Sequence, residues 1–250
     1  MTNPQSGDAP DEDRTGPGAA AALVVNGARL VPDLSGALFW PDQQTLVVSD
    51  LHFEKASSFA ARGHLLPPYD TADTLRQLEA AAARFRPARV ICLGDSFHDG
   101  GAAERLGGAE AQRLRELTRR HEWIWIRGNH DPEPPADWGG YSLTELSLGA
   151  LIFRHEALNG AAVGAVMGEV SGHFHPKASV RIRARRLTAR CFVTDGRRLI
   201  VPAFGAFTGG LDVRSPAISR HFQAGFTVHM LGRQRVFPFP ASALADGAEA

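Results

Sequence analysis

Short apolar runs separated by turn residues open the chain and predict antiparallel strands. The segment VVNGARLV, residues 24–31, places two β-prone stretches on either side of Asn26-Gly27, a dipeptide typical of two-residue hairpin turns. The segment ALFWPDQQTLVV, residues 37–48, has a similar pattern around Pro41-Asp42. We therefore expect two hairpins near the start of the folded region.

After Asp50 the apolar residues recur at helical spacing, which predicts helices that alternate with strands. Asp70 or Thr71 can cap a helix that ends before Pro87, and a second helix is predicted from about Glu104 to Arg120. The inward face of the first helix is formed by Leu75, Leu78, Ala82 and Phe85, and the strands that follow the two helices are predicted at Arg89–Leu93 and Glu122–Ile126. Such crossovers place the strands parallel.

The second half of the chain predicts a further, mostly antiparallel sheet. Asp195-Gly196 is a hairpin turn, and short apolar runs lie near Leu143, Ile152, Val180 and Phe226. We expect an α/β fold of four layers, α-β-β-α, in which two mixed sheets pack together with helices outside. A single domain is expected over residues 23–240. Residues 1–22 are rich in Pro, Gly, Ser and acidic residues and are expected to be a disordered tail, and residues 241–250 a flexible one.

Polar residues of the kinds that bind metals follow the predicted strands. Asp50 and His52 follow one apolar run, Asp95 follows the next, and Asn129 and His130 follow a third. In open α/β sheets, ligands bind beyond the carboxyl ends of the strands, so these residues should converge. Further downstream the sequence adds His155, His173 and His175.

The chemistry of these side chains narrows the choice of metal. Carboxylate, imidazole and amide groups together suit Mn²⁺, Fe or Zn²⁺ better than Ca²⁺. The set exceeds what one ion can hold and suits two ions about 3.5–4 Å apart, a spacing at which one carboxylate can bridge both and water becomes a nucleophile. We expect two divalent ions, Mn²⁺ foremost, and a phosphoester substrate.

In their order along the chain, these motifs resemble those of the calcineurin-like metallophosphoesterases. The matching residues are Asp50-x-His52, Gly94-Asp95, Gly128-Asn129-His130-Asp131, His155 and Gly172-His173-x-His175. The segments LGDSFHD, GHFHPKA and PAFGAFTGGLDV are most similar to a branch of endonucleases associated with a DNA ligase in the DNA damage response. The resemblance implies a phosphodiesterase that cleaves DNA.

The resemblance also implies a role for each motif residue. One metal would be held by Asp50, His52 and His175, the other by Asn129, His155 and His173, and both by Asp95. His130 would donate a proton to the leaving oxygen or stabilise transition-state charge, and Asp131 would orient His130. The pattern departs at one position, since Glu156 follows His155 where the wider family usually has Gly.

Basic residues beside these motifs are candidates for substrate contact. The segment VRIRARRL, residues 180–187, places Arg181, Arg183 and Arg185 on one face of a predicted strand, where they could contact a phosphate backbone. A merely solvated strand face is the alternative, because arginine is the chain's usual basic residue. His98 could contact substrate phosphate or support the loop instead.

Composition narrows the location and the partners. The formal net charge of zero lacks the overall basic surface of a non-specific nucleic-acid binder. Two cysteines far apart in the sequence predict a reducing, cytoplasmic environment. No segment approaches the roughly 18–20 apolar residues of a membrane span, so no membrane association is expected.

Two other functions stay open beside the nuclease. A phosphatase or pyrophosphatase for a small nucleotide or a lipid-linked diphosphate would use the same fold and metals. A scaffold without activity is disfavoured, because every motif position is filled and His130 is present. The resemblance further implies DNA as partner, with a functional association with a DNA ligase and other repair proteins. The sequence does not fix an oligomeric state.

Overall fold

The structure, a computed structural model, describes residues 22–64, 66–131, 138–159, 167–183, 185–222 and 225–245. Residues 1–21 of the predicted N-terminal tail and 246–250 of the predicted C-terminal tail lie outside these ranges. Of the helices in the described residues, none combines the length and apolar character needed to cross a bilayer.

The first sheet follows the chain from one edge to the other. Its strands are β1 (Leu23–Val25), β2 (Ala28–Pro32), β3 (Leu38–Trp40), β4 (Thr45–Val48), β5 (Arg89–Leu93), β6 (Glu122–Ile126) and β7 (Tyr141–Leu143). The pairs from β1 to β4 are antiparallel, which confirms both predicted hairpins. The pairs from β4 to β7 are parallel, as the helical crossovers predict.

The second sheet is mixed and mostly antiparallel, as predicted. Its strands are β8 (Glu145–Leu148), β9 (Leu151–Arg154), β10 (Gly168–Ser171), β11 (Lys177–Ile182), β12 (Arg185–Thr194), β13 (Arg198–Ile200), β14 (Thr227–Leu231) and β15 (Val236–Pro240). Their spatial order is β15-β14-β12-β13-β10-β9-β8, with β11 paired to β12. Only the β9–β10 and β10–β13 pairs are parallel in the described residues.

The helices are α1 (Lys55–Ala61), α2 (Asp70–Phe85), α3 (Ala102–Arg105), α4 (Gly108–Arg120) and α5 (Pro216–Ser219). Helix α2 begins and ends where predicted, although the Asp70 carboxylate accepts a hydrogen bond from the Ala56 amide of α1 instead of capping α2. The single helix predicted over 104–120 is wrong. It divides into α3 and α4 because Gly107 is extended and Gly108 has a φ of +61°, a conformation that glycine adopts easily.

Alternate residues of each strand pack into different cores, which produces the four layers. On β6, Trp123 and Trp125 face α2 and α4, whereas Ile124 and Ile126 face the second sheet. Both tryptophans are at most 2% exposed, which confirms their prediction as packing residues. A third core lies between the outer face of the second sheet and α5, where it includes Cys191, Val193, Ile218 and Met230. The predicted α-β-β-α architecture is therefore confirmed, with a thin outer layer on the second sheet.

Candidate metal centre

Loops that follow five strands bring the predicted metal-binding side chains together at one end of the sandwich. The contributing residues are Asp50 and His52 after β4, Asp95 after β5, Asn129 and His130 after β6, His155 after β9, and His173 and His175 after β10. Backbone hydrogen bonds join these loops, as from Asp50 to the Gly94 carbonyl and from Gly172 to the His155 carbonyl. The two sheets thus share one site.

The first cluster contains Asp50, His52 and His175, whose ligand atoms lie within 4.8 Å of one another. His175 Nε2 is 3.3 Å from Asp50 Oδ1 and 3.4 Å from His52 Nε2. Asp50 is fully buried, and its Oδ2 accepts hydrogen bonds from Ser49 Oγ and from the His173 amide. Among the described residues, Asp50 Oδ1 finds no hydrogen-bond donor. A buried carboxylate oxygen left in this way is suited to coordinate a cation.

The second cluster contains Asp95, His155 and His173, again with ligand atoms within 4.8 Å of one another. His155 Nε2 is 3.4 Å from Asp95 Oδ1, 3.1 Å from His173 Nδ1 and 2.9 Å from Asn129 Oδ1. His155 Nδ1 lies 2.8 Å from the Leu93 carbonyl, which can only accept, so Nδ1 carries a proton. In a neutral ring, Nε2 then presents a lone pair to two oxygens.

The carboxylates around the second cluster favour a positive charge at the His155 ring. Burial opposes charging of His155, but the carboxylates of Asp95 and Asp50 outweigh burial and raise the pKa of His155 to about 9. Burial also acts on Asp95, yet the hydrogen bond and charge of His155 hold the pKa of that carboxyl below its usual range. A metal ion can supply the charge in place of the His155 proton, since ligands bind in their deprotonated forms.

A third group of imidazoles, His52, His98 and His130, adjoins the first cluster. His98 Nδ1 is 3.4 Å from His52 Nδ1, and His130 Nδ1 donates to the His98 carbonyl at 2.9 Å. Burial lowers the pKa of His52 to about 3 and that of His98 to about 4. Both rings are therefore neutral near pH 7, the form in which imidazole binds metals and accepts protons.

The backbone at the site is strained at the candidate ligands themselves. Asp50, His52, Asp95, His173 and His175 all have φ between +46° and +69°, the left-handed region that non-glycine residues rarely adopt. Such conformations persist only where the surrounding structure enforces them, and they cluster at functional sites. The loops thus hold these side chains in fixed directions.

Two motif glycines allow the loops to approach one another. A Cβ on Gly94, whose φ is +77°, would lie 2.4 Å from His155 Nδ1, and a Cβ on Gly172 would lie 1.7 Å from Ser49 Oγ. Any side chain at these positions would displace His155 or the Ser49–Asp50 pair. The glycines next to Asp95 and His173 in the sequence motifs therefore serve close packing of the site.

The donor set fits two divalent ions. Each of the first two clusters offers one carboxylate and two imidazoles, and Asn129 adds an amide oxygen to the second cluster. The sequence model of the calcineurin-like phosphoesterases matches residues 44–186, more than half of the chain. The chain belongs to this family. As a calcineurin-like phosphoesterase, the protein is a metal-dependent hydrolase of phosphate esters.

The fold is also that of a solved nuclease structure. The crystal structure of Pseudomonas putida nuclease MPE is 28% identical in sequence, covers 88% of this chain and 100% of its own, and superposes with a TM-score of 0.69. The phosphoesterase Yfce from E. coli is 16% identical, with 80% of this chain and 98% of its own covered and a TM-score of 0.43. No curated protein sequence matches the chain.

Two side chains that the sequence analysis did not select contact the site. Ser49 donates to Asp50 Oδ2 at 2.5 Å, and its position directly before Asp50 in LVVSDLH was the available signal. The ring of Phe59, on α1, lies 5.7 Å from the His98 ring between centroids. Helical spacing gives no sign of that contact, because it depends on how α1 packs.

The predicted arginine strand is corrected by the structure. A hairpin interrupts it, with β11 ending at Ile182 and β12 beginning at Arg185, and Arg183 in the turn at a φ of +49°. Arg181 pairs directly with Arg186, so these two share a face, while Arg185 pairs with Ile182 on the other face. All these arginines are exposed. The three predicted arginines therefore surround a hairpin tip instead of lining one face.

The expected role of Asp131 is also corrected. Its carboxylate does not contact the His130 ring but accepts four backbone amides. Oδ1 accepts from Asp95 and Gly128 at 2.9 and 3.1 Å, and Oδ2 accepts from Ser96 and Phe97 at 2.8 and 3.1 Å. The His130 ring is held by the His98 carbonyl instead. Asp131 thus fixes the loop after β5 to the loop after β6 and orients His130 only indirectly.

We expect Asp131→Ala to lower the free energy of unfolding by about 3 kcal/mol, because it leaves buried amides without acceptors. Denaturant unfolding of the metal-free protein measures this directly. The matched control is Asp99→Ala, since Asp99 is 26% exposed and its ion pair with Arg105 should contribute less than about 1 kcal/mol. Equal stability losses in the two variants would contradict the structural role given to Asp131.

Proposed function

We propose that the protein is a dinuclear-metal phosphodiesterase that cleaves DNA. The observation that carries the proposal is the pair of carboxylate–imidazole clusters, joined by the hydrogen bond from the His173 amide to Asp50 Oδ2 and each able to hold one divalent ion. The likeness to the P. putida nuclease over 88% of the chain supports a nucleic-acid substrate.

In this proposal the chain's own side chains hold two ions. The first set is Asp50, His52 and His175, and the second is Asn129, His155 and His173. Asp95, which lies with His155 and His173, would be a ligand shared by both ions. Bound metals supply Lewis acidity toward the phosphoryl oxygens and activation of water. Mn²⁺ is the metal we expect, with Fe or Zn²⁺ as alternatives, because the donors are oxygen and imidazole nitrogen without thiolate.

We propose that His130 transfers a proton at the edge of the metal centre. Its side chain is exposed, and its amide donates to Asp95 Oδ1 at 2.9 Å, which fixes it beside the clusters. Because Nδ1 donates to the His98 carbonyl, Nε2 is the atom left to hold or release a proton. We assign His130 the role of general acid toward the leaving oxygen.

A substrate panel tests the proposed function. Purified protein in Mn²⁺ is assayed on single-stranded DNA, duplex DNA, RNA, cyclic nucleotides, pyrophosphate and bis-nitrophenyl phosphate. We expect cleavage of DNA together with hydrolysis of the small diester. Hydrolysis of pyrophosphate or a small nucleotide, with every polynucleotide intact, would support the alternative small-molecule phosphatase.

The hairpin formed by β11 and β12, here called the arginine hairpin, extends the proposed substrate surface away from the metals. Arg181 lies six residues beyond His175, which corresponds to about 20 Å of extended chain. The like-charged pair Arg181 and Arg186, directly opposite each other, is unfavourable by itself and would be relieved by a phosphate between them. The hairpin suits contacts several nucleotides from the scissile bond.

We expect the triple variant Arg181→Ala, Arg183→Ala, Arg185→Ala to bind polynucleotide more weakly. Each lost phosphate contact should reduce the slope of log K against log salt concentration by about 0.7–0.9. Titration of labelled DNA at several salt concentrations gives both quantities. The control replaces three exposed arginines of α2 and α4 with alanine and so removes the same number of positive charges: Arg76, Arg119 and Arg120. An equal loss in the control would attribute the effect to net charge alone.

We further propose that the protein acts in the cytoplasm, in DNA repair. Cys92 and Cys191 are free and buried, which suits a reducing cytoplasm. A DNA nuclease of this kind would act in repair beside a DNA ligase that reseals its products. Loss of the gene should then increase sensitivity to DNA-damaging agents.

A further inference from the structure

Exposed aromatic side chains lie next to the metal centre on the side of α1. The rings of Tyr69 and Phe207 are 6.0 Å apart between centroids, and their residues are 53% and 44% exposed. Lys55 Nζ donates to the Phe207 carbonyl at 3.0 Å and lies 5.9 Å from the Phe59 ring. We call these four residues, Lys55, Phe59, Tyr69 and Phe207, the aromatic ledge.

The aromatic ledge is continuous with the candidate metal centre. Phe59 contacts the His98 ring at 5.7 Å, and the His98 ring in turn stacks on the His130 ring at 5.4 Å between centroids. A path of side chains therefore leads from His130 through His98 and Phe59 to Lys55 and the exposed rings. A strand with its phosphate at the metals would have its neighbouring nucleotides within reach of this path.

The backbone under the ledge is tied to the metal centre. The Gly205 amide donates to the Asp50 carbonyl, and a Cβ on Gly205 would lie 2.1 Å from the Leu51 carbonyl oxygen. Two residues later, Phe207 has a φ of +56°, a strained conformation for an aromatic residue. Solvent exposure alone does not require such a conformation. Backbone strain at an exposed ring beside a ligand loop therefore indicates that the position of the Phe207 ring serves a function.

We propose that the aromatic ledge is a stacking platform for unpaired bases of the polynucleotide, an inference that rests on the proposed function. Aromatic rings beside a basic group are the means by which proteins bind single strands without reading sequence. Lys55 would contact a phosphate while Tyr69 and Phe207 stack on bases. The preferred substrate is then a strand with unpaired nucleotides next to the scissile bond, such as a frayed end, an overhang or a loop.

The test compares two oligomers of equal length, oligothymidylate and an abasic oligomer with the same phosphate backbone. For the wild-type enzyme we expect kcat/KM to be at least about ten-fold higher on oligothymidylate, since each stacked base contributes appreciably to binding. The double variant Tyr69→Leu, Phe207→Leu should bring this ratio close to one, mainly through KM. Tyr69→Phe and Phe207→Trp keep a ring and should preserve the ratio.

Tyr141→Leu is the matched control, because Tyr141 is 65% exposed on β7 and lies outside the ledge. A double variant that retains the wild-type ratio would overturn the stacking role, as would an equal fall in Tyr141→Leu. Failure of the proposed function looks different. In that case the wild-type enzyme leaves every polynucleotide intact while it hydrolyses bis-nitrophenyl phosphate, and the platform is overturned with it.

Discussion

Asp95→Asn is expected to lower phosphodiester hydrolysis by about 10³-fold or more, the loss expected when several kcal/mol of charge stabilisation disappear. The fold should survive, because Asn retains an oxygen that can accept the His130 amide at the position of Asp95 Oδ1. Charge is what the variant lacks. Asp95 lies 3.4 Å from His155 and contributes to the raised pKa of that ring, so its carboxylate makes the second cluster attractive to a cation.

Metal analysis and turnover measured on the same preparation decide this prediction. Asp95→Asn should contain fewer than two metals per chain after gel filtration, with little change in thermal unfolding of the metal-free protein. Asp73→Asn, the same substitution on the surface of α2, should match the wild type in both respects. Two tightly bound metals with near-native turnover in Asp95→Asn would refute the shared-ligand assignment.

The sequence predicted the placement of the site because strand order follows chain order in the first sheet. Asp50, Asp95 and Asn129 each follow a strand of a parallel run, and parallel strands end at the same edge. His155 and His173 come from β9 and β10, which also pair in parallel. Apolar runs and crossovers therefore indicated convergence of the three loops of the first sheet, whereas His155, His173 and His175 were assigned to the site through the resemblance to the family.

What the sequence could not predict depends on backbone conformation and on contacts distant in the chain. The left-handed conformation of five candidate ligands has no signature in residue type, although Asp and His tolerate it better than most residues. Asp131 was assigned to its neighbour His130, whereas three of the four amides that donate to its carboxylate lie 34 to 36 residues earlier. The arginine strand was misjudged because the turn at Arg183 carries no Gly, Asn or Pro.

His130→Ala is expected to retain both metals and to lose about 10²–10⁴ in rate on DNA, the range for loss of a general acid. The loss should be much smaller on bis-nitrophenyl phosphate. Proton donation matters most when the leaving oxygen is strongly basic, as in a sugar alkoxide, and least for nitrophenolate. The structure supports this role by leaving Nε2 of an exposed ring available while Nδ1 is bound to the His98 carbonyl.

His173→Ala provides the contrast, since it removes a candidate ligand of the second ion and should reduce metal content and both rates together. His121→Ala is the matched control. Its Nδ1 also contacts a backbone carbonyl, that of Pro87 at 2.8 Å, and the residue lies in the connection that leads into β6, at the opposite end of that strand from His130.

His130 approaches His52 and His98 closely enough to bind a metal with them, so the experiment has a definite alternative. Loss of a metal in His130→Ala would make it a ligand, and equal losses on both substrates would make it an electrostatic stabiliser of the transition state. Only retention of both metals together with a loss that grows with the basicity of the leaving group identifies His130 as the proton donor.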